Sequence, residues 1–227
     1  MSDWFKVDKI FDIFNVILLF FVLNLLFMLA NIPSIVFLLT LGLSQIFNYF
    51  PLFLLCLLPV GPAFTVLLYC MGQFMKHKTL TYSVDLPKGI KLNAKQSFIF
   101  WTAELGIIFM LFSNIMFFSS KAHSLLFTCI SISLGVLMLA VSPYIYLLIS
   151  RFSMPLLEVL KSAIVLAITR PLLTLTNILL FALLLIFFEI APGTVILFSS
   201  SLFAYALQFA NRALMGQLEK QASKIGA

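Results

Sequence analysis

The sequence predicts an all-α, polytopic transmembrane helix bundle with about six spans. Of its 227 residues, 63% are hydrophobic and only 10% are charged, whereas soluble domains have roughly 45–50% apolar and about 25% charged residues. The apolar residues form long runs, and about 20 helical residues cross a hydrocarbon core of about 30 Å. Because a soluble globule could not bury this much apolar surface, we expect residues 1–227 to form one transmembrane domain whose surroundings are the lipid bilayer.

Seven apolar stretches are candidate spans, and the second is the weakest. They cover residues 13–32, 34–50, 51–74, 97–118, 125–149, 172–190 and 194–210. Polar residues dilute the second stretch, and Pro33 and Pro51 stand at its ends, where proline disrupts a continuous helix. We therefore expect residues 34–50 to form a re-entrant or interfacial segment on the outer side of the membrane.

The basic residues predict the orientation. Lys and Arg cluster in residues 6–9, 76–95, 151–170 and 212–224, and such clusters mark cytoplasmic loops. If all four clusters are cytoplasmic, an even number of crossings must separate each cluster from the next. This condition gives six spans with both termini inside. Seven crossings with the N-terminus outside is the alternative, and it would place the first cluster against this rule. Since topology and anionic lipid explain the net charge of +6, we expect no nucleic-acid partner.

Three segments are predicted to lie outside the spans. Residues 1–12 have the apolar spacing of an interfacial helix, residues 153–169 that of a cytoplasmic amphipathic helix, and residues 212–227 form a cytoplasmic tail. In the second segment, Ser153 is the expected cap, and Glu158 and Lys161 share one face at i, i+3. This helix is either a docking element for a partner or a simple connector. Because residues 14–32 are long enough to span, we expect no cleaved signal peptide.

Glu104 is the main candidate for a functional residue within the spans. Placing a charge at the membrane centre costs about 2.5 to 3.5 kcal/mol on insertion scales. The carboxylate could hold a proton or a cation, pair with Lys95 or Arg170, or reach back to the interface beside Trp101.

Polar amides and a helix break are the other candidates. Asn24, Asn114, Asn177 and Gln208 are expected to hydrogen-bond between helices, unless several converge with Glu104 on one cavity, as a solute pathway would require. Residues Pro59, Gly61 and Pro62 should interrupt their helix and free backbone carbonyls, an arrangement that transporters use but that inert spans also tolerate.

The sequence contains no recognisable catalytic motif. HExxH, GxSxG, P-loop and GxGxxG patterns are all absent. The three cysteines form no CxxC pair, and the predicted topology places His77 and His123 at opposite faces of the membrane. We therefore expect a protein that is not an enzyme and that holds no cofactor or metal.

Three regions of the chain resemble the YesL-like family of small bacterial integral membrane proteins. The matching segments are NLLFML at residues 24–29, LPVGPA at 58–63 with KLNAKQS at 91–97, and SPY at 142–144 with RFS at 151–153 and LKSA at 160–163. The resemblance implies a multi-pass protein of a bacterial cytoplasmic membrane. By association with carbohydrate-uptake transporters, it also implies an accessory role in sugar import.

The expected function is accordingly that of an accessory or partner subunit of a solute-uptake system. Its partners would be transporter permease subunits or a second copy of the chain, with Glu158 and Lys161 in the contact surface. The alternative is a small self-contained transporter or channel, in which Glu104 and the break at Pro59 to Pro62 line the pathway.

Overall fold

The computed structural model describes the backbone of residues 7–118, 124–190 and 192–225 and the side chains of residues 14–117, 126–187 and 199–221. These residues form ten α-helices, one short 3-10 helix and no strand, which confirms the all-α prediction for the described part of the chain. The predicted interfacial helix at residues 1–12 lies outside the described side chains, although α1 begins at Val7. The α-helices are α1 (Val7–Ala30), α2 (Ile32–Leu41), α3 (Phe50–Cys56), α4 (Val60–His77), α5 (Tyr82–Phe118), α6 (Ser124–Arg151), α7 (Leu156–Thr169), α8 (Pro171–Ile190), α9 (Pro192–Ala210) and α10 (Arg212–Ile225).

Among the described residues, three helical segments are long and apolar enough to cross a membrane, and the number rises to five if each of two bent helix pairs is one span. Three segments qualify singly: Phe50–His77, Tyr82–Phe117 and Leu126–Arg151. Two bent pairs of helices also qualify if each pair is taken as one span. These are Phe14–Ala30 with Ile32–Leu41, bent by 71°, and Leu156–Thr169 with Pro171–Phe187, bent by 99°.

The weakest predicted span is not a continuous helix. Both Pro33 and Pro51 lie in the first turn of a helix, α2 and α3 respectively, where a missing N–H costs no hydrogen bond. Between these helices, α2 ends at Gly42, whose φ of 76° is a left-handed conformation that glycine adopts without strain. Residues 34–50 therefore contain most of a short helix bent by 71° from α1, a 3-10 helix and the first residue of α3.

The predicted break at the start of α4 is present and is stabilised by two side chains. Residues 57–59 form a turn between α3 and α4. The carbonyl of Leu57 accepts a hydrogen bond of 2.7 Å from the indole N–H of Trp101, and the carbonyl of Cys56 accepts one of 2.7 Å from the Ser34 hydroxyl. Partners within the protein therefore satisfy carbonyls at the break, as a non-aqueous environment requires.

Helices α4 and α5 pack closely because small residues face bulky ones. A Cβ added to Gly61 would lie 2.3 Å from Cγ of Trp101, and one added to Gly89 would lie 2.8 Å from the Tyr69 ring. Between these contacts, the buried hydroxyls of Thr65 and Ser97 hydrogen-bond to each other. Small residues let helix backbones approach within a membrane, where no hydrophobic effect drives helices together.

The second half of α6 is the centre of the bundle. Every side chain from residue 144 to residue 150 is buried, although a helix at the edge of a bundle would expose one face. This segment packs with residues of α1, α4, α7 and α9 in one hydrophobic core. Polar groups on this part of α6 consequently have only protein atoms as partners.

Helix α7 confirms the predicted helix after α6, but the predicted cap is wrong. The N-cap is Pro155, in an extended conformation and without a side-chain cap hydrogen bond, and the helix begins at Leu156. Its residues Val159, Ala163 and Leu166 are buried. Because the extended Pro155 separates Ser153 from the first turn, the Ser153 hydroxyl cannot act as the N-cap.

We predict that Gly61→Ala destabilises the protein by about 1–3 kcal/mol, the usual cost of overpacking. The added methyl group would overlap the Trp101 side chain, whose position the bond to Leu57 holds. Unfolding with sodium dodecyl sulfate in mixed micelles measures the change. Gly106→Ala, also in a helix, is the matched control because a Cβ there has no atom within 4 Å. Equal effects of the two substitutions would contradict the packing described.

Candidate functional site

Glu104 points into the bundle and contacts α6. It lies on α5 and is only 6% exposed. Its Oε2 accepts hydrogen bonds from the Tyr146 hydroxyl at 2.7 Å and from the Ser142 hydroxyl at 3.2 Å. Ser142 and Tyr146 are four residues apart on α6, so one helix face presents both. The carboxylate thus has two neutral donors in place of an ionic partner.

The ionic partners proposed for Glu104 lie elsewhere. Lys95 is exposed, and Arg170 Nη2 donates to Oε1 of Gln217 at 3.4 Å. Trp101, by contrast, is near, because its ring meets the Tyr146 ring edge-on with centroids 6.2 Å apart. Glu104 therefore belongs to a polar and aromatic cluster inside the protein.

A cavity of about 260 Å³ lies beside this cluster. Its wall combines aromatic and aliphatic side chains with a few polar ones, a composition typical of small-molecule sites. Residues from α1, α4, α5, α6, α8 and α9 contribute. They are Phe27, Val60, Gly61, Phe64, Trp101, Leu139, Ser142, Pro143, Tyr146, Asn177, Ile178, Phe181, Leu184, Ser200, Phe203 and Leu207.

Asn177 brings an amide to the cavity wall from α8. It is 1% exposed, and its Oδ1 accepts a hydrogen bond of 2.8 Å from Nδ2 of the fully buried Asn211. Its Nδ2 is buried without a hydrogen-bond partner among the described residues. This nitrogen is therefore an unpaired donor enclosed within the protein, with less than 1 Å² of accessible surface.

The structure brings together three of the six candidate pathway residues. Gly61 and Asn177 line the cavity, and Glu104 accepts hydrogen bonds from the hydroxyls of two further lining residues, Ser142 and Tyr146.

The remaining candidates lie apart from the cavity. Asn114 is exposed on α5. Pro59 and Pro62 line a different, apolar groove of about 350 Å³ between α1, α4 and α5. Glu158 and Lys161 are both exposed on α7, as a contact surface requires.

The two hydroxyls and the contacts of Trp101 were not predicted from the sequence. Ser142 and Tyr146 stand four residues apart within a long apolar run, and this spacing is a signal that could have paired them. Nothing in one sequence indicates that they face Glu104, because that contact depends on how α5 and α6 are rotated against each other.

A second polar cluster joins the C-terminal ends of α4, α6 and α9 to the middle of α10. Arg151, whose side chain is 9% exposed, donates from Nη1 to Glu219 at 3.1 Å and from Nη2 to Gln208 at 2.8 Å. Lys76 also binds Glu219, at 2.7 Å, and Gln208 donates to the Leu68 carbonyl at 3.0 Å. Gln208 is thus a helix-to-helix hydrogen-bonding amide, as expected, and Glu219 holds α10 against the bundle.

The charges around Glu219 determine its ionisation. Burial is the largest influence and raises its pKa, but the hydrogen bonds and positive charges of Lys76 and Arg151 together outweigh burial. The net effect lowers the pKa of Glu219 below its ordinary value. The carboxylate is therefore ionised and paired at neutral pH.

Comparison with known proteins adds no assignment to this geometry. No family model, no curated protein and no solved structure matches the chain. The resemblance to the YesL-like family stays a prediction. Among the described residues, no three His, Cys, Asp or Glu side chains are grouped as a metal site would require.

We predict that Glu104→Leu destabilises the protein by about 1–3 kcal/mol, the cost of leaving buried donors unpaired. Glu104→Gln should cost less than about 1 kcal/mol, because the amide oxygen can still accept from Tyr146 and Ser142. Detergent unfolding measures both, and the exposed Glu158→Leu is the control, with an expected change within about 0.5 kcal/mol. Equal losses for Gln and Leu at residue 104 would show that the hydrogen bonds contribute nothing.

We also predict that Glu219 makes stability depend on pH. Because its pKa is lower in the folded protein than in the unfolded chain, its contribution is complete above the ordinary value of 4.5 and disappears as the pH falls through the folded value. The difference in unfolding free energy between wild type and Glu219→Gln should therefore shrink from pH 7 to pH 3. Glu158→Gln, which removes an exposed carboxylate, should show no such trend. If the difference in unfolding free energy between wild type and Glu219→Gln stays constant from pH 7 to pH 3, the ion pairs of Glu219 are not the cause of that difference.

Proposed function

We propose that this chain is a small, non-enzymatic transporter that binds a largely apolar solute in the cavity beside Glu104. The convergence of Asn177, Gly61 and the Glu104 hydroxyl cluster on one cavity supports this proposal. Several spans contribute to the wall, whereas polar groups that serve only packing need not share a cavity. Solute sites of transporters commonly lie between helices at the membrane midplane, next to broken helices, and the break before α4 adjoins this wall.

The proposal includes six spans with both termini in the cytoplasm of a bacterium. The spans are α1, the α3 and α4 segment, α5, α6, α8 and α9, with α2 as an outer re-entrant piece and α7 and α10 on the inner surface. Support comes from the cluster of Lys76, Arg151 and Glu219, which brings together the ends of α4 and α6 and helix α10. The basic residues there fit the cytoplasmic side.

Glu104 is the proposed proton site of this transporter. When Glu104 is a carboxylate, it accepts the hydrogen bond that the Tyr146 hydroxyl donates. Once protonated, it can itself donate to the Tyr146 oxygen, which leaves the Tyr146 O–H free to donate towards the cavity that Tyr146 lines. Proton binding at Glu104 would in this way change the hydrogen bonds offered to the solute.

A second candidate function is an accessory subunit of a carbohydrate-uptake system. The exposed face of α7 favours it, because Leu157 and Ile168 are 71% and 70% exposed beside the exposed Glu158 and Lys161. Such a face fits a membrane surface or the helices of a permease subunit.

The transporter proposal predicts that the purified protein retains a small molecule in its cavity. Ile178→Trp would fill the cavity with a larger side chain, since Ile178 lines it. Leu179→Trp adds the same ring to the neighbouring residue, which is 59% exposed. After purification from native membranes in mild detergent, solvent extraction and mass spectrometry should find a compound in wild type and Leu179→Trp that is absent from Ile178→Trp.

Two other results would contradict the transporter proposal. Retention of the same compounds by all three proteins would exclude the cavity as the binding site. The other result is recovery of a permease subunit in stoichiometric amount. If Ile178→Trp still binds that subunit and the double variant Glu158→Lys/Lys161→Glu does not, the result favours the accessory function.

A further inference from the structure

We propose that the solute is an organic cation, which binds against the aromatic wall of the cavity and is attracted by the carboxylate of Glu104. The inference rests on the cavity proposed above as the solute site and adds the chemical class of its occupant. It is carried by a series of aromatic rings along the wall, by an acidic group next to them that has no basic partner, and by a described wall without basic side chains.

Five aromatic side chains follow one another along the cavity wall. In the order Trp101, Tyr146, Phe64, Phe203 and Phe181, neighbouring ring centroids lie 6.2, 6.4, 5.6 and 6.4 Å apart. Three of these four contacts are T-shaped, so the rings do not form one flat stack. The face of an aromatic ring attracts cations, and several inclined rings around one volume form the aromatic cages that bind quaternary ammonium ions.

The acidic group beside these rings lacks an opposite charge. Among the described residues, no Lys, Arg or His forms an ion pair with Glu104, and its Oε2 accepts hydrogen bonds from the Tyr146 and Ser142 hydroxyls. A buried carboxylate is costly unless it is paired with an opposite charge. A cation in the cavity would supply that charge.

The charge of Glu104 acts through space, so the solute does not have to touch it. Glu104 is not a lining residue, but Tyr146, which bonds to it at 2.7 Å, is one. A cation over the Tyr146 ring would therefore lie about 7 Å from the carboxylate. Attraction over about 7 Å raises affinity about threefold at the dielectric constant of water and about fiftyfold at an effective value of about 20. We expect a value between these limits, about tenfold.

The polar side chains of the described wall are neutral. They are the hydroxyls of Ser142, Tyr146 and Ser200 and the amide of Asn177, and no Lys, Arg or His is among the lining residues. The wall therefore contains no charge that repels a cation. A quaternary ammonium group has no N–H and requires no acceptor, so its binding does not depend on how these hydroxyls, that of Ser200 included, are oriented.

Two probes of the same shape and different charge test this inference. Phenyltrimethylammonium has a positive quaternary nitrogen, and tert-butylbenzene has a neutral quaternary carbon in its place. NMR titration of the purified full chain in a non-ionic detergent, corrected for partition into protein-free micelles, gives both dissociation constants. Glu104→Gln removes the charge and keeps an acceptor for Tyr146. It should weaken binding of the cation about tenfold and change binding of the hydrocarbon less than about twofold.

Matched variants assign the effect to the carboxylate and to the rings. Glu158→Gln removes an exposed carboxylate and should leave both dissociation constants unchanged. Phe203→Leu removes one ring of the wall and should weaken the cation about threefold more than the hydrocarbon. Phe98→Leu, at a residue that is 46% exposed and outside the wall, should affect neither probe. Unchanged binding of the hydrocarbon by Glu104→Gln shows that this variant is folded.

Each alternative outcome rejects a different claim. If Glu104→Gln weakens both probes equally or neither, and Ile178→Trp binds neither probe, the cavity stands as a binding site but the cation inference is wrong. If wild type binds neither probe, both the inference and the cavity as a binding site are wrong. An equal loss of cation affinity in Glu158→Gln and Glu104→Gln would overturn the role of Glu104. An equal effect of Phe203→Leu on both probes would overturn the role of the rings.

Discussion

The burial of the second half of α6 is the constraint on which the rest of the structure depends. Residues 144–150 have no face towards lipid or water, so each polar group on or beside this segment needs a partner inside the protein. Tyr144 bonds to Thr174 of α8 at 3.0 Å, Tyr146 to Glu104 of α5, and Ser150 to the Leu147 carbonyl at 2.8 Å. These contacts orient the neighbouring helices around α6.

Buried polar groups obtain partners in one way within the spans and in another at the end of α6. Within the spans, Glu104 has two hydroxyl donors, which leave it able to gain a proton without breaking an ion pair. At the end of α6, Arg151 bridges Gln208 and Glu219, and Lys76 completes the cluster. A full ion pair is stable there because part of the Glu219 side chain, 32%, is exposed and solvated.

The cavity adjoins the break before α4. Trp101 lies against Gly61 and bonds to the Leu57 carbonyl, so its ring stabilises the break and forms part of the cavity wall. The packing that joins α4 to α5 is therefore also the packing that shapes the proposed solute site. A change in the break would move the Trp101 ring and, through its contact with Tyr146, the hydrogen bonds of Glu104.

The sequence by itself determined the helical class, the membrane environment and the interrupted segments, because these depend on local properties. Run length and composition predict apolar helices, and Pro33, Pro51 and Pro59 stand at helix starts. It also identified Glu104 and Asn177, since polar groups in apolar runs are conspicuous. Only the tertiary structure decided their partners, which are Tyr146 and Ser142 for Glu104 and Asn211 for Asn177. It also placed Asn114 away from the cavity. Those contacts depend on the rotation and crossing of helices, which small differences in packing among many apolar side chains determine.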